Sequence, residues 1–158
     1  MERAPFQVLI FPFHHNRGKN FEYAIFRRNE STGGYWQGIA GGGEKGETVF
    51  EAAKREAWEE AGIPNDSRFI VLDSVATIPV EGVVGGFLWG EEVYVIPEHC
   101  FGVEVKNRVI HLSKEHAEYK WVSYKEAIEM LKWDNNKNAL WELHQRLQRS
   151  IERDSTQS

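Results

Sequence analysis

Apolar positions along this chain switch between two periods, and the switches mark out its elements. Alternating or continuous apolar runs bounded by turn residues lie at 6–13, 23–28, 36–40, 68–79, 92–96 and 119–122, and each predicts a β-strand. Three other segments follow helical spacing. Between Thr48 and Gly62, the residues Phe50, Ala53, Ala57 and Ala61 share one face. A second helix is expected over 123–131. A third, near 136–151, carries Leu140, Leu143, Leu147 and Ile151 at steps of three and four. Helices and strands interleaved in this way predict a mixed α and β chain.

The helix ends are equally legible. Thr48 with Glu51, and Ser123 with Glu126, have the spacing of a capping box, in which each side chain hydrogen-bonds the backbone amide of the other. Gly62 can adopt the left-handed conformation that closes a helix, Ile63 supplies an apolar contact, and Pro64 cannot continue the ladder.

The face beside the alanines carries the candidate chemistry. Glu56, Glu59 and Glu60 lie on neighbouring turns, where each like-charged pair costs about 0.2–0.5 kcal/mol in an isolated helix. Lys54 and Arg55 are the nearby cations. A bound divalent ion explains the crowding, because Mg2+ and Mn2+ favour carboxylate oxygens and Mg2+ shares its remaining positions with water and phosphate. Just upstream runs Gly41-Gly-Gly-Glu-Lys-Gly-Glu47, read as a glycine-rich loop beside a phosphate chain.

Composition narrows the class. A chain of 158 residues, 41% hydrophobic and 13% aromatic, suits one packed domain, expected over 1–151 with a polar tail at 152–158. The net charge of -5 argues against binding a nucleic-acid polymer, which calls for a basic surface. Attraction of phosphate then falls to a metal. The apolar run at 6–13 leads into His14 and His15 without a small-residue cleavage site, so it reads as a strand rather than a signal peptide, and a membrane span is not expected. Cys100 is the sole cysteine, which allows no internal disulfide and fits a cytoplasmic, reducing location.

Gly41, Glu47, Arg55, Glu56, Ala57, Glu59, Glu60, Gly62 and Ile63 occupy the fixed positions of the pattern G-x5-E-x7-R-E-U-x-E-E-x-G-U, and through it the chain resembles the Nudix hydrolases. The resemblance implies an α/β/α sandwich with a mixed sheet between helices, and Mg2+-dependent (or Mn2+-dependent) cleavage of a pyrophosphate link. It also implies that Glu56, Glu59 and Glu60 bind metal or orient water, that Arg55 holds Glu47 by an ion pair, and that the Ala40 carbonyl faces the metal. Glu56 is the best candidate base within the pattern.

The segments from Leu112 to Val122 and from Trp133 to Trp141 extend the resemblance to the branch that cleaves dihydroneopterin triphosphate or dATP. That branch implies a further metal ligand or base at Glu115 and cationic substrate contacts at Arg27, Arg3 and Lys132. Trp36 and Trp133 are candidates to stack on a pterin or purine. Ala40 and Gly43 depart from the branch, which usually has a threonine at the first and a bulkier residue at the second. Pro79 stands near where the family's ADP-ribose pyrophosphatases carry a proline, so ADP-ribose is a rival substrate. A nucleotide sensor without turnover is a rival of another class, and pairing of two copies into a homodimer is left open.

Overall fold

Alternation along the first strand decides which parts of the chain lie on which side of the sheet. In β1 (Arg3–His15), Leu9, Phe11 and Phe13 point to one face and Val8 and Ile10 to the other, and all are buried. Such a strand must be covered on both sides. The structure, a computed structural model, describes residues 2–18, 20–29 and 34–157, with side chains as far as 154.

After β1 come β2 (Phe21–Arg28), β3 (Trp36–Gln37), β4 (Ile39–Glu44), α1 (Val49–Ala61), β5 (Phe69–Pro79) and α2 (Val80–Val84). They are followed by β6 (Val95–Glu104), β7 (His116–Val122), α3 (Tyr124–Met130) and α4 (Asp134–Gln157). The seven strands form one mixed sheet in the order β3-β2-β1-β6-β5, with β4 also paired to β1 and β7 to β2. Only the β1–β6 pairing is parallel among those described.

One face of the sheet packs Leu9, Phe11, Tyr23 and Ile25 against Leu140, Leu143 and Leu147 of α4 and Ala127 of α3. On the other face Val8, Ile10, Ala24 and Phe26 meet Ala52, Ala53, Ala57 and Ala61 of α1. Helices therefore flank the sheet on both sides, as expected. Both capping boxes form, and Gly62 closes α1 with a positive φ of 68°.

Several elements differ from their sequence reading, each for a local reason. The run expected as one strand at 36–40 breaks at Gly38, whose amide donates to Asn136 Oδ1 at 2.8 Å instead of to a neighbouring strand. The glycines expected to form a loop continue β4, with Gly41 opposite Val8 and Gly42 opposite Gln7. The strand expected at 92–96 is displaced to Val95–Glu104, because Glu98 and His99 interrupt the apolar pattern although they sit in the ladder beside β1. The last helix starts at Asp134 and continues to Gln157 through the polar tail expected at 152–158, of which Ser158 lies outside the described residues. Among the described residues no helix is long and apolar enough to cross a membrane.

The α1–sheet contact is closed by small side chains, so its tolerance for volume is low. Ala57→Leu should destabilise the protein by about 1–3 kcal/mol, read as a lower urea midpoint with unchanged slope. A midpoint equal to wild type would show that α1 does not pack on the sheet through Ala57.

Candidate active site

The glycines of β4 are bare because three other groups occupy the space a side chain would need. A Cβ at Gly41 would collide with the Glu56 carboxylate, one at Gly42 with the Arg3 guanidinium, and one at Gly43 with the Phe6 ring. The first collision fixes how close α1 lies to β4. Glu56 is thereby laid against the strand, and Glu60 follows one turn later on the same face.

Arg55 locks this arrangement. Its Nε and Nη2 donate to the two oxygens of Glu47 at 2.7 and 3.0 Å, a forked pair, and Nη2 also donates to the Gly42 carbonyl at 2.9 Å. Nη1 reaches Glu56 at 2.9 Å and Glu59 at 3.2 Å. The guanidinium holds the Glu47 carboxyl below its usual range and is itself pushed up, chiefly by its hydrogen bond with Glu47. The ion pair expected between Arg55 and Glu47 is present.

The three glutamates of the helix do not share one environment. Glu56 and Glu60 are only 7% and 8% exposed, while the Glu59 side chain is about half exposed. Burial raises the pKa of Glu56 in spite of Arg55. Burial and then the neighbouring Glu115 push Glu60 up to about 7, opposed by a hydrogen bond from Ser113 at 3.1 Å. His116 Nδ1 lies 3.1 Å from Glu60, but the two do not form a hydrogen bond. Burial, followed by the charge of Arg28, pushes His116 down to about 4, so at neutral pH this contact is not an ion pair.

These carboxylates open onto a cleft of about 750 Å3. Glu56, Glu59, Glu60, Glu115, Arg3, Ala40 and Trp133, all singled out in the sequence, line it together. Arg27, Trp36 and Lys132 do not. Arg27 is turned to the opposite face of β2, where it pairs with Glu118 at 2.6 Å, and the next residue, Arg28, lines the cleft instead. Trp36 packs against the core beside α4, with Lys120 over its ring. The Lys132 ammonium lies over the rings of Tyr35 and Trp133, capping cleft-lining aromatics without lining the cleft itself.

Sequence reasoning also missed Arg28, Gln37, Glu98, Asn135 and Asn136, all of which line the cleft. Strand alternation could have preferred Arg28 to Arg27 had it been known that Ala24 and Phe26 face α1. Nε and Nη2 of Arg3, and Nε of Arg28, are buried and have no hydrogen-bond partner among the described residues. Unpaired buried donors are costly, and two guanidiniums facing one cleft are suited to an anionic ligand.

No three His, Cys, Asp or Glu side chains among the described residues enclose a metal position by themselves. Mg2+ is typically held by one or two carboxylates together with waters and substrate phosphates rather than by an all-protein cage. Glu56 and Glu60, whose charged forms are penalised by burial, are the residues a cation would relieve, with Glu115 and the exposed Glu59 beside them. The donor set fits a hard divalent ion.

Comparison with known proteins agrees with this geometry. Residues 7–143 match the NUDIX domain family. The chain is 32% identical over 108 residues to the dihydroneopterin triphosphate diphosphatase of Haemophilus influenzae, a match covering 67% of this chain and 68% of that protein. Among solved structures, a Listeria monocytogenes protein assigned as a NUDIX hydrolase superposes with a TM-score of 0.83 at 39% identity, covering 94% of this chain and 97% of that one. The E. coli dihydroneopterin triphosphate pyrophosphohydrolase has the same fold, with a TM-score of 0.70 at 22% identity over 88% of this chain and 94% of that one. The buried glutamates beside a bare glycine strand thus belong to a recognised architecture, and the chain is a member of the Nudix hydrolase family.

Proposed function

We propose that the protein hydrolyses a nucleoside or pterin triphosphate to the monophosphate and pyrophosphate, with Mg2+ as its cofactor. The observation that carries this reading is a single cleft joining buried, cation-demanding glutamates to unpaired arginine donors. The relative from Haemophilus influenzae, named for cleavage of dihydroneopterin triphosphate, supports the substrate class.

A divalent ion bound there would neutralise phosphate charge and lower the pKa of a coordinated water. The chain's own groups do the rest. Glu56 and Glu60 would hold the ion, and Arg3 and Arg28 would supply donors to the phosphate oxygens. Arg55 keeps Glu56 pressed to Gly41, so the ligand needs little rearrangement. Glu56 or Glu115 takes the proton from the attacking water. Trp133, at the cleft wall, offers a face on which a ring can stack.

ADP-ribose is the second reading, because Pro79 and Ile78 line the same cleft. The buried Cys100 thiol, pushed up to about 12 by burial, takes no part in this chemistry, and its free state suits the cytosol.

Incubation with Mg2+ of dATP, dihydroneopterin triphosphate or ADP-ribose, followed by product analysis, distinguishes these readings. Pyrophosphate from a triphosphate, abolished by chelator, is the expected outcome. AMP with ribose phosphate as the main product would move the assignment to ADP-ribose, and ligand binding without turnover would make the protein a sensor. Glu60→Gln should lower kcat by at least about 100-fold while the protein still folds, since it removes a charge the fold does not need. Full activity of that variant at saturating Mg2+ would remove Glu60 from the metal site.

The raised pKa of Glu60 gives a signed pH dependence. Because its folded-state pKa of about 7 lies above its usual value of 4.5, its contribution to stability is full below the usual value and is lost as pH rises through 7. In chelator, the melting temperature of wild type relative to Glu60→Gln should therefore fall between about pH 5 and about pH 8. Added Mg2+ competes with that proton, so its stabilising effect on wild type should grow over the same interval. A difference that stays flat with pH would contradict the buried state of this carboxylate.

A further inference from the structure

The cleft contains a second polar group that phosphate chemistry does not use. Glu98 of β6 is 4% exposed and lines the cleft, two strands across the sheet from Gly42 through the aligned Gln7. With strands spaced about 4.8 Å apart, its backbone lies roughly 10 Å from the glycines that back the carboxylate site. Asn135 Nδ2 donates to Glu98 Oε1 at 2.5 Å, and the other carboxylate oxygen accepts nothing among the described residues. Asn136 Oδ1 accepts the Gly38 amide at 2.8 Å, and its Nδ2 donates to Asn135 Oδ1 at 3.4 Å. The start of α4 is thereby tied both to the β3–β4 break and to Glu98. Gln37, beside that break and 5% exposed, lines the same cleft with its Nε2 buried and unpartnered.

The Glu98 carboxylate has room for about four hydrogen bonds and receives one from the described residues, while the buried Gln37 Nε2 finds no acceptor among them. Resting on the triphosphate reading above, we propose that Glu98 and Gln37 select the ring of the substrate, and that the ring is a 2-amino-4-oxo heterocycle. This is the edge that guanine and a pterin share.

Such an edge presents a ring N–H beside an exocyclic amine, two parallel donors that engage the two oxygens of a carboxylate as an arginine fork does. Adenine presents an amine beside an unprotonated ring nitrogen, so the same pose would set a lone pair against a carboxylate oxygen. Gln37 Nε2 supplies a donor for an acceptor elsewhere on the ring. Asn135, held by Asn136, is a positioning residue that fixes the Glu98 carboxylate. Trp133 lines the same cleft near these asparagines and can cover the ring face.

The test uses the full chain with Mg2+ and two readouts. One is kcat/KM for GTP, ITP, ATP and dihydroneopterin triphosphate. The other is Kd by calorimetry for the α,β-methylene analogues of GTP and ATP, which resist cleavage. Wild type should favour GTP over ATP by at least about 10-fold in both readouts or the pterin over ATP by as much in kcat/KM, with ITP, which lacks the amine, in between in kcat/KM. Preference for the pterin over GTP, or the reverse, assigns the source of the shared edge. In Glu98→Gln the ratio of GTP to ATP should collapse towards one, while Glu98→Asp should retain part of it.

Equal or better use of ATP by wild type would overturn the proposal, and this arm needs no variant to fold. An unchanged ratio in a folded Glu98→Gln protein would do the same. Turnover without ring preference refutes the ring-selecting role alone, whereas ring preference in Kd without turnover refutes the hydrolase reading and leaves ring selection standing.

Discussion

The contact on which the site depends is the guanidinium of Arg55 against Glu47, Glu56 and the Gly42 carbonyl. One side chain, itself mostly buried, joins the helix carrying the carboxylates to the strand against which they are pressed. Gly41 makes that approach sterically feasible, because any side chain there would take the place of the Glu56 carboxylate. The Arg55 donors are divided among Glu47, the Gly42 carbonyl, Glu56 and Glu59, so the arginine neutralises Glu56 only in part and leaves Glu60 to its burial and to Glu115. The protein holds its acids in a cleft where their charge is unfavourable until something positive arrives.

That tension explains why stability and function pull on the same residues. The alanine face of α1 gives close packing on the sheet, and the same closeness buries Glu56 and Glu60 on the next face. A more open helix would hydrate them and weaken their demand for a cation. Arg3 and Arg28 show the complementary tension, as half-buried cations with buried donors left unpaired among the described residues. A polyphosphate with its metal would satisfy both sets at once, each sign being supplied by the other.

Much of this was legible in the sequence because it is local. Capping residues, the Gly62 stop and the spacing of the glutamates act within a few residues of one another, and the structure reproduces them. Placement across the sheet was less legible. A one-residue difference on β2 moves a side chain to the other face, which is why Arg27 was singled out although Arg28 faces the cleft. Residues 41–43 read as a loop because glycines carry no period, yet each is bare to admit a neighbour from elsewhere in the chain. β6 was misplaced because Glu98 breaks its apolar run, and that break is the polar group lying in the cleft. The five-residue α2 was missed because Gly82 sits within it and its length gives no helical period.

The most direct measurement is a crystal structure of the protein grown with Mn2+ and phased for anomalous scattering. A peak within bonding distance of the Glu56 and Glu60 carboxylates, with Arg55 still joined to Glu47, is the expected result. Absence of a peak there under saturating Mn2+, or an ion bound only by residues outside this cleft, would contradict the assignment of the buried glutamates as its ligands.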